Sequence, residues 1–556
     1  MSSLLHHFIQ RQPAGNPALV QHEDGRVLTY GKLSSLIDYF ALRLLDIGIQ
    51  PGDRISTLLV NLPEHIALMY AAFKVGAIFA PLDVRLQPEE VVRDLKKINP
   101  TAFFFLGKTP VRDFREVGRA VQEGCPSVGY LVQFSTEEIL EGAVSIKEFM
   151  KKGKLLWLKL AELFRGQLAR IEQQLTPRTP ALIIYTTGTT GEPKPATLCH
   201  ENILVQNEIL ARGLEMENDS PLRLLNNLPP SHVGAVTEAI MTTFYLGGTL
   251  VQLRIFDPKV TLEAIEKHRV NVLGQIPTQF RMLWAVPEYD QFDLSSLQYV
   301  LYAGSAVDAP FLERLSKMAP KFGTGIGMTE SAGFATFTSP GLSPQEMAGQ
   351  VGRPFPELAK VTIRSPMNDD HSAGEEVEDG EVGEICYHPP QVFLGYYNLP
   401  DETARVVSRE GILYTGDLGC FRQTPSGRAL FLSGRRKFVI KQKGYNVFPE
   451  EVEAHIAKLE GVAEGVVVGI KHKLFDEGIF AFVRPDRGTS LTPKSLQEHC
   501  REIASYKRPQ HFEIWPAEEP FPLTRVAKVD RLQVKVQAEK VVENLREEGG
   551  WDGKNS

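Results

Sequence analysis

The ten residues YTTGTTGEPK (Tyr185–Lys194) follow the apolar run ALIIY and combine hydroxyls, glycines and one cation. Neither a helix nor a strand requires that composition. Backbone N–H groups around glycines form concavities that bind anions, and the threonine hydroxyls and Lys194 add donors and a positive charge. The common P-loop pattern, G-x-x-x-x-G-K-[ST], cannot be written over these residues. The stretch therefore predicts a loop that binds a polyphosphate, and a polar hairpin without a ligand is the alternative.

Further motifs follow the loop in a fixed order along the chain. They are YTTGTTGEPKPATLCHENI (185–203), GIGMTE (325–330), YTGD (414–417), GRRKFVIKQKGYNVFPEEVE (434–453) and PLTRVAKVDR (522–531). This series resembles the AMP-forming adenylating superfamily of acyl-CoA synthetases, peptide-synthetase adenylation domains and luciferases, and is most like an acyl-CoA ligase. The sequence departs from the family pattern at Pro195, Ile326 and Ala527, and Thr187 replaces a serine but keeps its hydroxyl.

The resemblance implies a nucleotide site made from these motifs. The loop Thr186–Lys194 would hold the β- and γ-phosphates, Thr329 would donate to the α-phosphate, and Glu330 would bind Mg²⁺. Asp417 would accept hydrogen bonds from both ribose hydroxyls, with Arg435 nearby. The residues expected to bind ATP or AMP are Thr186, Thr187, Gly188, Thr189, Thr190, Gly191, Lys194, Gly304, Ser305, Ala306, Gly327, Met328, Thr329, Asp417, Arg435 and Lys528.

The resemblance also implies the catalytic groups, which are Lys528, Thr329 and Glu330. The attacking carboxylate and the ATP phosphates are all anionic, so the site must cancel charge before the bond forms. Lys528 would bridge the incoming carboxylate and the α-phosphate, where it would stabilise the transition state. A surface lysine without a role is the alternative for that position.

A second step implied by the family transfers the acyl group to a thiol. A small C-terminal domain would rotate about a hinge at Lys437 and present the face around KQKGYN. Lys441, Lys443 and Gly444 would then bind CoA, with Gly444 leaving room for the pantetheine arm. A lysine pair beside a glycine is also typical of an ordinary solvated turn.

The acid is specified least well by the sequence. The candidate residues of the acyl pocket are His232, Gln275, Thr278, Gly325 and Gly333, with Ser305 beside them. The region Val233–Glu238 offers only Glu238 as an acidic partner for an amino acid's ammonium, and the sequence contains no carrier domain, so a plain carboxylic acid is favoured. We expect an AMP-forming acyl-CoA ligase that uses ATP, Mg²⁺ and CoA on a fatty acid or a cyclic or aromatic acid. The alternatives are an enzyme that loads a carrier protein and a nucleotide-binding protein with impaired catalysis.

Alternating strands and helices must position these motifs, which predicts an α/β fold. ISTLLV, AIFAPLD, TLVQL, NVLGQI and YVLYAG are predicted buried strands, and they indicate two layered α/β sheet units. VTIRS, GEICYH and LFLSG predict a small β-barrel-like unit. We expect a large adenylate-forming domain over residues 1–436 and a small mobile α+β domain over 437–556, with a frayed tail, EEGGWDGKNS.

Composition limits the class of protein. The 556 residues carry a net charge of −7, which argues against a nucleic-acid surface over the whole chain. The five scattered cysteines form no zinc pattern and favour a reducing compartment. The first residues lack the features of a signal peptide, and no apolar run is long enough for a membrane span. A cytoplasmic protein is therefore expected, and its oligomeric state is left open.

The segment 151–175 is amphipathic at helical spacing, and its beginning, KKGK, is basic. Leu156, Leu160, Leu163 and Ile171 fall on one side of the predicted helix. The segment is expected either to pack on the large domain or to present a surface for peripheral contact with a membrane or an acyl donor.

Overall fold

The computed structural model describes residues 3–187, 192–216, 221–305, 307–443, 445–474, 476–523, 529–547 and 550–552. Over these residues the predicted α/β class is confirmed, with two layered sheet units, a small antiparallel sheet and an α+β C-terminal region. The helices are α1 (His7–Gln10), α2 (Tyr30–Asp46), α3 (Pro63–Lys74), α4 (Pro88–Ile98), α5 (Arg115–Gly124), α6 (Ile146–Phe149), α7 (Lys152–Arg165), α8 (Gln167–Gln174), α9 (His200–Leu214), α10 (Thr242–Tyr245), α11 (Pro258–His268), α12 (Pro277–Trp284), α13 (Ala309–Leu315), α14 (Pro344–Met347), α15 (Pro400–Ala404), α16 (Pro449–Ile456), α17 (Pro493–His499) and α18 (Arg531–Glu547).

The first α/β unit is built on an eight-stranded sheet. In spatial order its strands are β21 (Gly395–Tyr396), β9 (Pro193–Cys199), β8 (Pro180–Thr187), β4 (Ile78–Pro81), β3 (Arg54–Leu58), β5 (Ala102–Leu106), β6 (Tyr130–Phe134) and β7 (Val144–Ser145). The run AFFFL of β5 is buried throughout, as expected for a parallel strand covered on both faces. The strands β8 and β9 are consecutive in the chain and pair antiparallel in the sheet.

The second α/β unit is built on a seven-stranded sheet. In spatial order its strands are β14 (Lys321–Thr324), β13 (Tyr299–Tyr302), β12 (Val272–Gln275), β10 (Arg223–Asn226), β11 (Thr249–Gln252), β1 (Pro17–Gln21) and β2 (Val27–Thr29). Only the pairing of β1 with β2 is antiparallel. The chain therefore begins in the second sheet and enters the first sheet only afterwards.

One apolar core joins the two units. It contains Phe79 and Leu182 from the first sheet, Leu19 and Leu224 from the second, and Phe73 from α3. The helix α3 begins with Pro63, which suits the first helical turn because it needs no N–H donor there, and the chain turns away at Gly76 with φ +70°. Local sequence rules thus set the ends of a helix that the common core holds in place.

The small β unit is a four-stranded antiparallel sheet. Its strands are β19 (Val361–Arg364), β20 (Gly383–Tyr387), β22 (Leu413–Thr424) and β23 (Gly427–Arg435). Two short antiparallel pairs lie before it in the chain: β15 (Gly327–Met328) with β16 (Gly333–Phe334), and β17 (Thr336–Phe337) with β18 (Arg353–Pro354), with α14 between the last two. GIGMTE lies on β15 and the residues beside it, and YTGD lies near the start of β22.

The C-terminal region is a five-stranded sheet with apolar clusters of its own. Its strands are β24 (Ile440–Gln442), β25 (Tyr445–Val447), β26 (Val462–His472), β27 (Asp476–Pro485) and β28 (His511–Ile514). Val467 and Ile479 belong to one cluster, and Val466 and Phe480 belong to the other. The helix α16 also meets the last strand of the small β unit, because a Cβ added at Gly434 would come within 2.5 Å of Glu450 Oε2.

The expectation of a frayed tail is wrong for Trp551. Its side chain is fully buried in the second C-terminal cluster, and its carbonyl oxygen accepts a hydrogen bond from His472 Nε2 at 2.8 Å. A large aromatic side chain thus ties the end of the described chain to the sheet.

The amphipathic segment 151–175 forms two helices, because Gly166 adopts φ +58° between α7 and α8. Ile171 of α8 is buried, whereas Trp157, Leu160 and Leu163 of α7 are exposed by 78%, 46% and 79%. The second half of the segment therefore packs on the large unit, and the first half presents an apolar face to solvent.

Candidate active site

The β8–β9 hairpin positions the two ends of the threonine-rich loop. Thr186 lies opposite Lys194 and Thr187 lies opposite Pro193 in its register. The predicted phosphate-binding residues between them, Gly188, Thr189, Thr190 and Gly191, lie outside the described residues. The pairing brings both ends of the loop to one edge of the first sheet, where Lys194 is largely buried.

Lys194 connects the loop to two residues that the sequence motifs do not single out. Its ammonium forms an ion pair with Glu402 of α15 and donates a hydrogen bond to that carboxylate. This hydrogen bond holds the pKa of Glu402 below its usual value. The Lys194 Nζ atom also lies 5.3 Å from the centre of the Tyr396 ring, a distance at which a cation and an aromatic face attract each other. Both partners come from LGYYNLPDET, which has no phosphate-loop composition.

Glu330 lies at the hydroxyl end of Tyr396, in the one-turn 3₁₀ helix Thr329–Ser331. Its carboxylate is almost fully buried, and the Tyr396 hydroxyl donates a hydrogen bond to Glu330 Oε1 at 2.6 Å. Burial raises the pKa of Glu330, and the hydrogen bond from Tyr396 acts in the opposite direction. Lys194, Tyr396 and Glu330 therefore form one line of contacts between the phosphate-loop edge and a buried carboxylate.

The β15–β16 hairpin brings the predicted glycines of the site into close contact. Gly327 lies opposite Phe334, and Met328 lies opposite Gly333. A Cβ at Gly327 would come within 2.0 Å of the carbonyl oxygen of Gly333, so the two strands can approach only because Gly327 has no side chain. Ile326 is buried in the main core. The hairpin thus fixes the backbone on either side of Thr329 and Glu330.

Asp417 and Arg435 are direct neighbours in the β22–β23 register. Arg435 Nε lies 2.8 Å from Asp417 Oδ1, and Asp417 is largely buried whereas the arginine side chain is about half exposed. A second pair lies beside them, since Arg436 NH1 is 2.9 Å from Glu384 Oε2. The sequence prediction that Arg435 lies near Asp417 agrees with this geometry.

The remaining nucleotide residues lie at the end of β13. Gly304 has φ +98° and Ser305 is exposed, so the chain turns sharply at the carboxyl end of a parallel strand. Ala306 lies outside the described residues. Ligands of α/β sheets commonly bind at such strand ends.

The candidate acyl residues lie on several elements. Gly333 packs against Glu238, with a hypothetical Cβ only 2.7 Å from Glu238 Oε1. His232 is half-buried in the turn before a π-helix, Gly234–Met241. Gln275 is buried, and its amide donates to Asn227 Oδ1 at 2.8 Å.

The other two candidates occupy different elements. Gly325 follows β14, and a Cβ there would lie 2.1 Å from the carbonyl oxygen of Thr336. Thr278 is a half-buried residue of α12. The structure therefore places Glu238 next to Gly333. In the sequence, Glu238 stands out only as the acidic residue of the region Val233–Glu238.

The C-terminal residues of the prediction are described only in part. Lys528 and Gly444 lie outside the described residues, while an isolated bridge pairs Leu523 with Val529 on either side of the Lys528 segment. Lys441 and Lys443 are exposed in and beside the β24–β25 hairpin, where Lys443 has φ +53°.

Lys437 lies in the 3₁₀ turn Arg436–Phe438, which connects β23 to β24. Burial and the nearby charge of Arg435 lower the pKa of Lys437, while the charges of Asp530 and Asp417 act in the opposite direction. Asp530, two positions after Lys528, and the predicted ribose residue Asp417 therefore both interact electrostatically with the Lys437 ammonium.

Comparisons with known proteins agree with the motif order. A family model described as AMP-binding enzyme matches residues 5–397, and one described as AMP-binding enzyme C-terminal domain matches residues 451–528. The chain is 29% identical to indoleacetate–CoA ligase of Aromatoleum aromaticum over 87% of this chain and 89% of that protein. It is 27% identical to the mitochondrial medium-chain acyl-CoA ligase ACSF2 of Homo sapiens over 96% of this chain and 86% of that protein.

A solved structure supports the fold. The structure of the anthranilate CoA ligase AuaEII in complex with anthranoyl-AMP matches with a TM-score of 0.80 and covers 98% of each chain, at 19% sequence identity. At that identity the match establishes the architecture and leaves the substrate to the residues of the pocket.

Proposed function

Because the chain belongs to the AMP-binding enzyme family and is an AMP-forming acyl-CoA ligase, we propose that the site around Glu330 and Tyr396 forms its acyl-adenylate. In this half-reaction a carboxylate oxygen bonds to the α-phosphorus of ATP, and the bond from that phosphorus to the bridging oxygen of pyrophosphate breaks. The observation that carries this proposal is the line of contacts from Lys194 through Tyr396 to the buried Glu330.

Each described residue has a role set by its position. Lys194, with the rest of the loop Thr186–Lys194, neutralises the β- and γ-phosphates, and Thr329 donates to the α-phosphate. Asp417 accepts from the ribose hydroxyls, and its ion pair with Arg435 orients that carboxylate. The strand end at Gly304 and Ser305 lies against the adenine.

Mg²⁺ fits the chemistry of Glu330. The ion prefers oxygen ligands and is usually held by one or two carboxylates together with substrate phosphates. Bound there, it would supply positive charge to phosphate oxygens. Glu330 is buried and fixed by Tyr396, so the carboxylate is oriented before any ligand arrives.

Lys528 is proposed to bridge the carboxylate and the α-phosphate, and the C-terminal unit is proposed to rotate for thioester formation. Support comes from the short turn at Lys437, which connects the small β unit to a sheet with separate apolar clusters. We place the boundary between residues 1–436 and 437–556. After rotation, Lys441, Lys443 and Gly444 would border the path of CoA, whose thiol attacks the acyl carbonyl and releases AMP.

The substrate is proposed to be a fatty acid or a cyclic or aromatic acid without an ammonium group. The pocket is proposed to include His232, Thr278, Gly325, Gly333 and Gln275. All five cysteines are free and buried, which favours a reducing compartment, and a cytoplasmic location is proposed on that ground.

The test of the function is a panel of carboxylic acids assayed for ATP-dependent pyrophosphate release, with and without CoA. We expect release that depends on an added acid and thioester formation with free CoA. Thioester formed only on a carrier protein would favour the carrier-loading alternative, and no acid-dependent release would favour a protein with impaired catalysis. Asp417→Asn, with Asp379→Asn in the exposed Arg428 pair as its control, should raise the KM for ATP.

Contact between α7 and a membrane surface is a second proposal, supported by the exposed side chains of Trp157, Leu160 and Leu163. The segment KKGKLLWLKLAELFR has five basic residues and one acidic residue, in a chain whose net charge is −7. A basic helix with an exposed apolar face is suited to an anionic lipid surface. Among the residues that the structure describes, no helix has the length and apolar character needed to span a bilayer.

Co-sedimentation with vesicles tests this contact. The protein should sediment with vesicles that contain phosphatidylglycerol and much less with pure phosphatidylcholine, and the double variant W157D/L163D should stay in solution. Ile255→Asp is the matched control, because Ile255 is an exposed apolar residue outside α7. Equal sedimentation of the wild type and the double variant would refute the contact.

A further inference from the structure

Glu238 is a carboxyl group placed inside the predicted acyl pocket. It belongs to the π-helix Gly234–Met241, an uncommon helix type that is frequent at functional sites. Its Oε1 atom would lie 2.7 Å from a Cβ at Gly333, and its Oε2 atom would lie 3.7 Å from a Cβ at Gly234. The missing side chain of Gly333 therefore lets the Glu238 carboxyl pack directly against the hairpin backbone, and Gly234 borders it at van der Waals distance.

The carboxyl has unused hydrogen-bonding capacity. Within the described part of the chain, Glu238 makes no hydrogen bond or ion pair, and burial raises its pKa to about 8. The residue is nevertheless partly accessible to solvent. At neutral pH the protonated group can both donate and accept a hydrogen bond.

Gln206 of α9 adds a second polar group at the same place. Its Cγ atom would lie 3.1 Å from a Cβ at Gly333, and its side chain is fully buried. Asn207 Nδ2 donates to Gln206 Oε1 at 2.9 Å, but Gln206 Nε2 has no partner among the described residues. A buried amide donor and a partly accessible carboxyl without a described partner thus flank one glycine, and polar groups inside a protein normally require partners.

Gly333 also belongs to the hairpin that carries the nucleotide residues. It lies opposite Met328, which directly precedes Thr329 and Glu330. Its carbonyl oxygen accepts a hydrogen bond from the Ser331 hydroxyl at 2.8 Å. A substrate whose carboxylate reaches Thr329 could therefore extend its hydrocarbon part past Gly333 to Glu238.

We propose that Glu238 and Gln206 determine the specificity of the pocket, and that the substrate is an acid whose hydrocarbon part carries a hydroxyl group. This inference rests on the proposed function. The hydroxyl would donate to the carbonyl oxygen of Glu238 and accept from Gln206 Nε2. An unsubstituted hydrocarbon would leave both groups buried without partners, which is unfavourable.

An ammonium group fits this place less well than a hydroxyl. It would require the ionised form of Glu238, and forming a buried ion pair with the ammonium would remove two charges from water, which is costly. A hydroxyl exchanges hydrogen bonds with the neutral carboxyl and adds no net charge. The pocket therefore favours a neutral polar substituent.

Matched pairs of acids test the inference through pyrophosphate release. The pairs are 4-hydroxycinnamate with cinnamate and 12-hydroxydodecanoate with dodecanoate, and 4-(aminomethyl)cinnamate is the ammonium probe. For the skeleton that is turned over faster, wild-type kcat/KM should be about tenfold or more higher for the hydroxylated member. Glu238→Met should bring that ratio to within about threefold of one, mainly through the KM of the hydroxylated acid.

Two further variants separate a specific effect from a structural one. Glu238→Gln keeps a donor and an acceptor and should retain the preference for the hydroxylated acid. Glu263→Met makes the same kind of replacement on α11 and should leave the ratio unchanged. If Glu238→Met does not fold, the wild-type ratios and the Gln variant decide the question.

Several results would overturn the inference. They are a wild-type preference for the apolar member or for the ammonium acid, and an unchanged ratio in Glu238→Met. Equal turnover within each pair by the wild type would refute the inference and leave the proposed function standing. No acid-dependent pyrophosphate release, across these acids and the wider panel, would overturn both.

Discussion

Lys194 is the cation at the end of the predicted triphosphate loop, and it is oriented by Glu402 and Tyr396. We expect Lys194→Met to raise the KM for ATP and to lower kcat/KM by about 10–100-fold, because a charge-assisted contact to phosphate is lost. Pyrophosphate release measured against ATP concentration provides the test.

Lys360→Met is the matched control for this substitution. Lys360 is an exposed lysine paired with Glu376 in and beside the small β unit, so its loss should leave the KM for ATP unchanged. An unaltered KM for ATP in Lys194→Met would contradict the assignment of the loop.

Tyr396 should control the acidic limb of the pH profile. Burial raises the pKa of Glu330 and the hydrogen bond from Tyr396 lowers it, so Tyr396→Phe should raise that pKa further. Cation binding requires the ionised carboxylate, and activity is therefore lost as the pH falls through this pKa. The acidic limb of kcat/KM for MgATP should move to higher pH, with a loss of about 3–10-fold at neutral pH.

Tyr397→Phe is the control for that measurement, because Tyr397 keeps its ring beneath Arg54 after the hydroxyl is removed. Its acidic limb should coincide with that of the wild type. An acidic limb that does not move in Tyr396→Phe would mean that the hydrogen bond does not tune Glu330.

At the scale of elements, the sequence predicts best where a local pattern decides the structure. The apolar runs ISTLLV, NVLGQI and YVLYAG are predicted as buried strands, and they overlap β3, β12 and β13. Asp417 and Arg435 also meet as expected, because they lie at the ends of two strands joined by a tight turn.

The sequence does not predict which strands from distant parts of the chain pair with each other. Leu19 of β1 lies opposite Leu250 of β11, and nothing in either apolar run names its partner. Tyr396 and Glu402 reach the site only because β21 pairs with β9, at Tyr396 and Ala196. Trp551 was assigned to a frayed tail because its neighbours are polar, whereas its own burial depends on the distant β26 and β27 strands.

Trp551 should be a major contributor to the stability of the C-terminal unit. We expect Trp551→Ala to lower the free energy of unfolding by about 3–5 kcal/mol, because it removes a fully buried aromatic side chain. Trp157→Ala, at an exposed tryptophan, should change it by less than about 0.5 kcal/mol. Denaturant unfolding checks both variants, and equal effects would show that Trp551 is not buried in solution.

At the scale of the whole molecule, substitution of Lys528 should affect the rates of the two half-reactions differently. Lys528→Ala should lower acyl-adenylate formation by about 10²–10³-fold and largely spare thioester formation from supplied acyl-adenylate. The reason is that the proposed rotation about Lys437 replaces the Lys528 face before the thiol arrives.

Rapid-quench assays of each half-reaction, with Lys535→Ala on α18 as the control lysine, measure this difference. Lys535 lies 3.7 Å from Glu477, so it has a partner on the C-terminal unit itself. Equal losses in both half-reactions of Lys528→Ala would contradict the two-orientation mechanism.

Glu402 contacts two cations, Lys194 and Arg405. The Glu402 carboxylate therefore pairs with the Lys194 ammonium in the way that a phosphate oxygen of ATP is proposed to do. When a triphosphate binds Lys194, the displaced Glu402 carboxylate remains paired with Arg405, so it still has a positively charged partner. Nucleotide arrival becomes an exchange of anions around one ammonium, and we expect α15, which carries Glu402, to reorient as the exchange occurs.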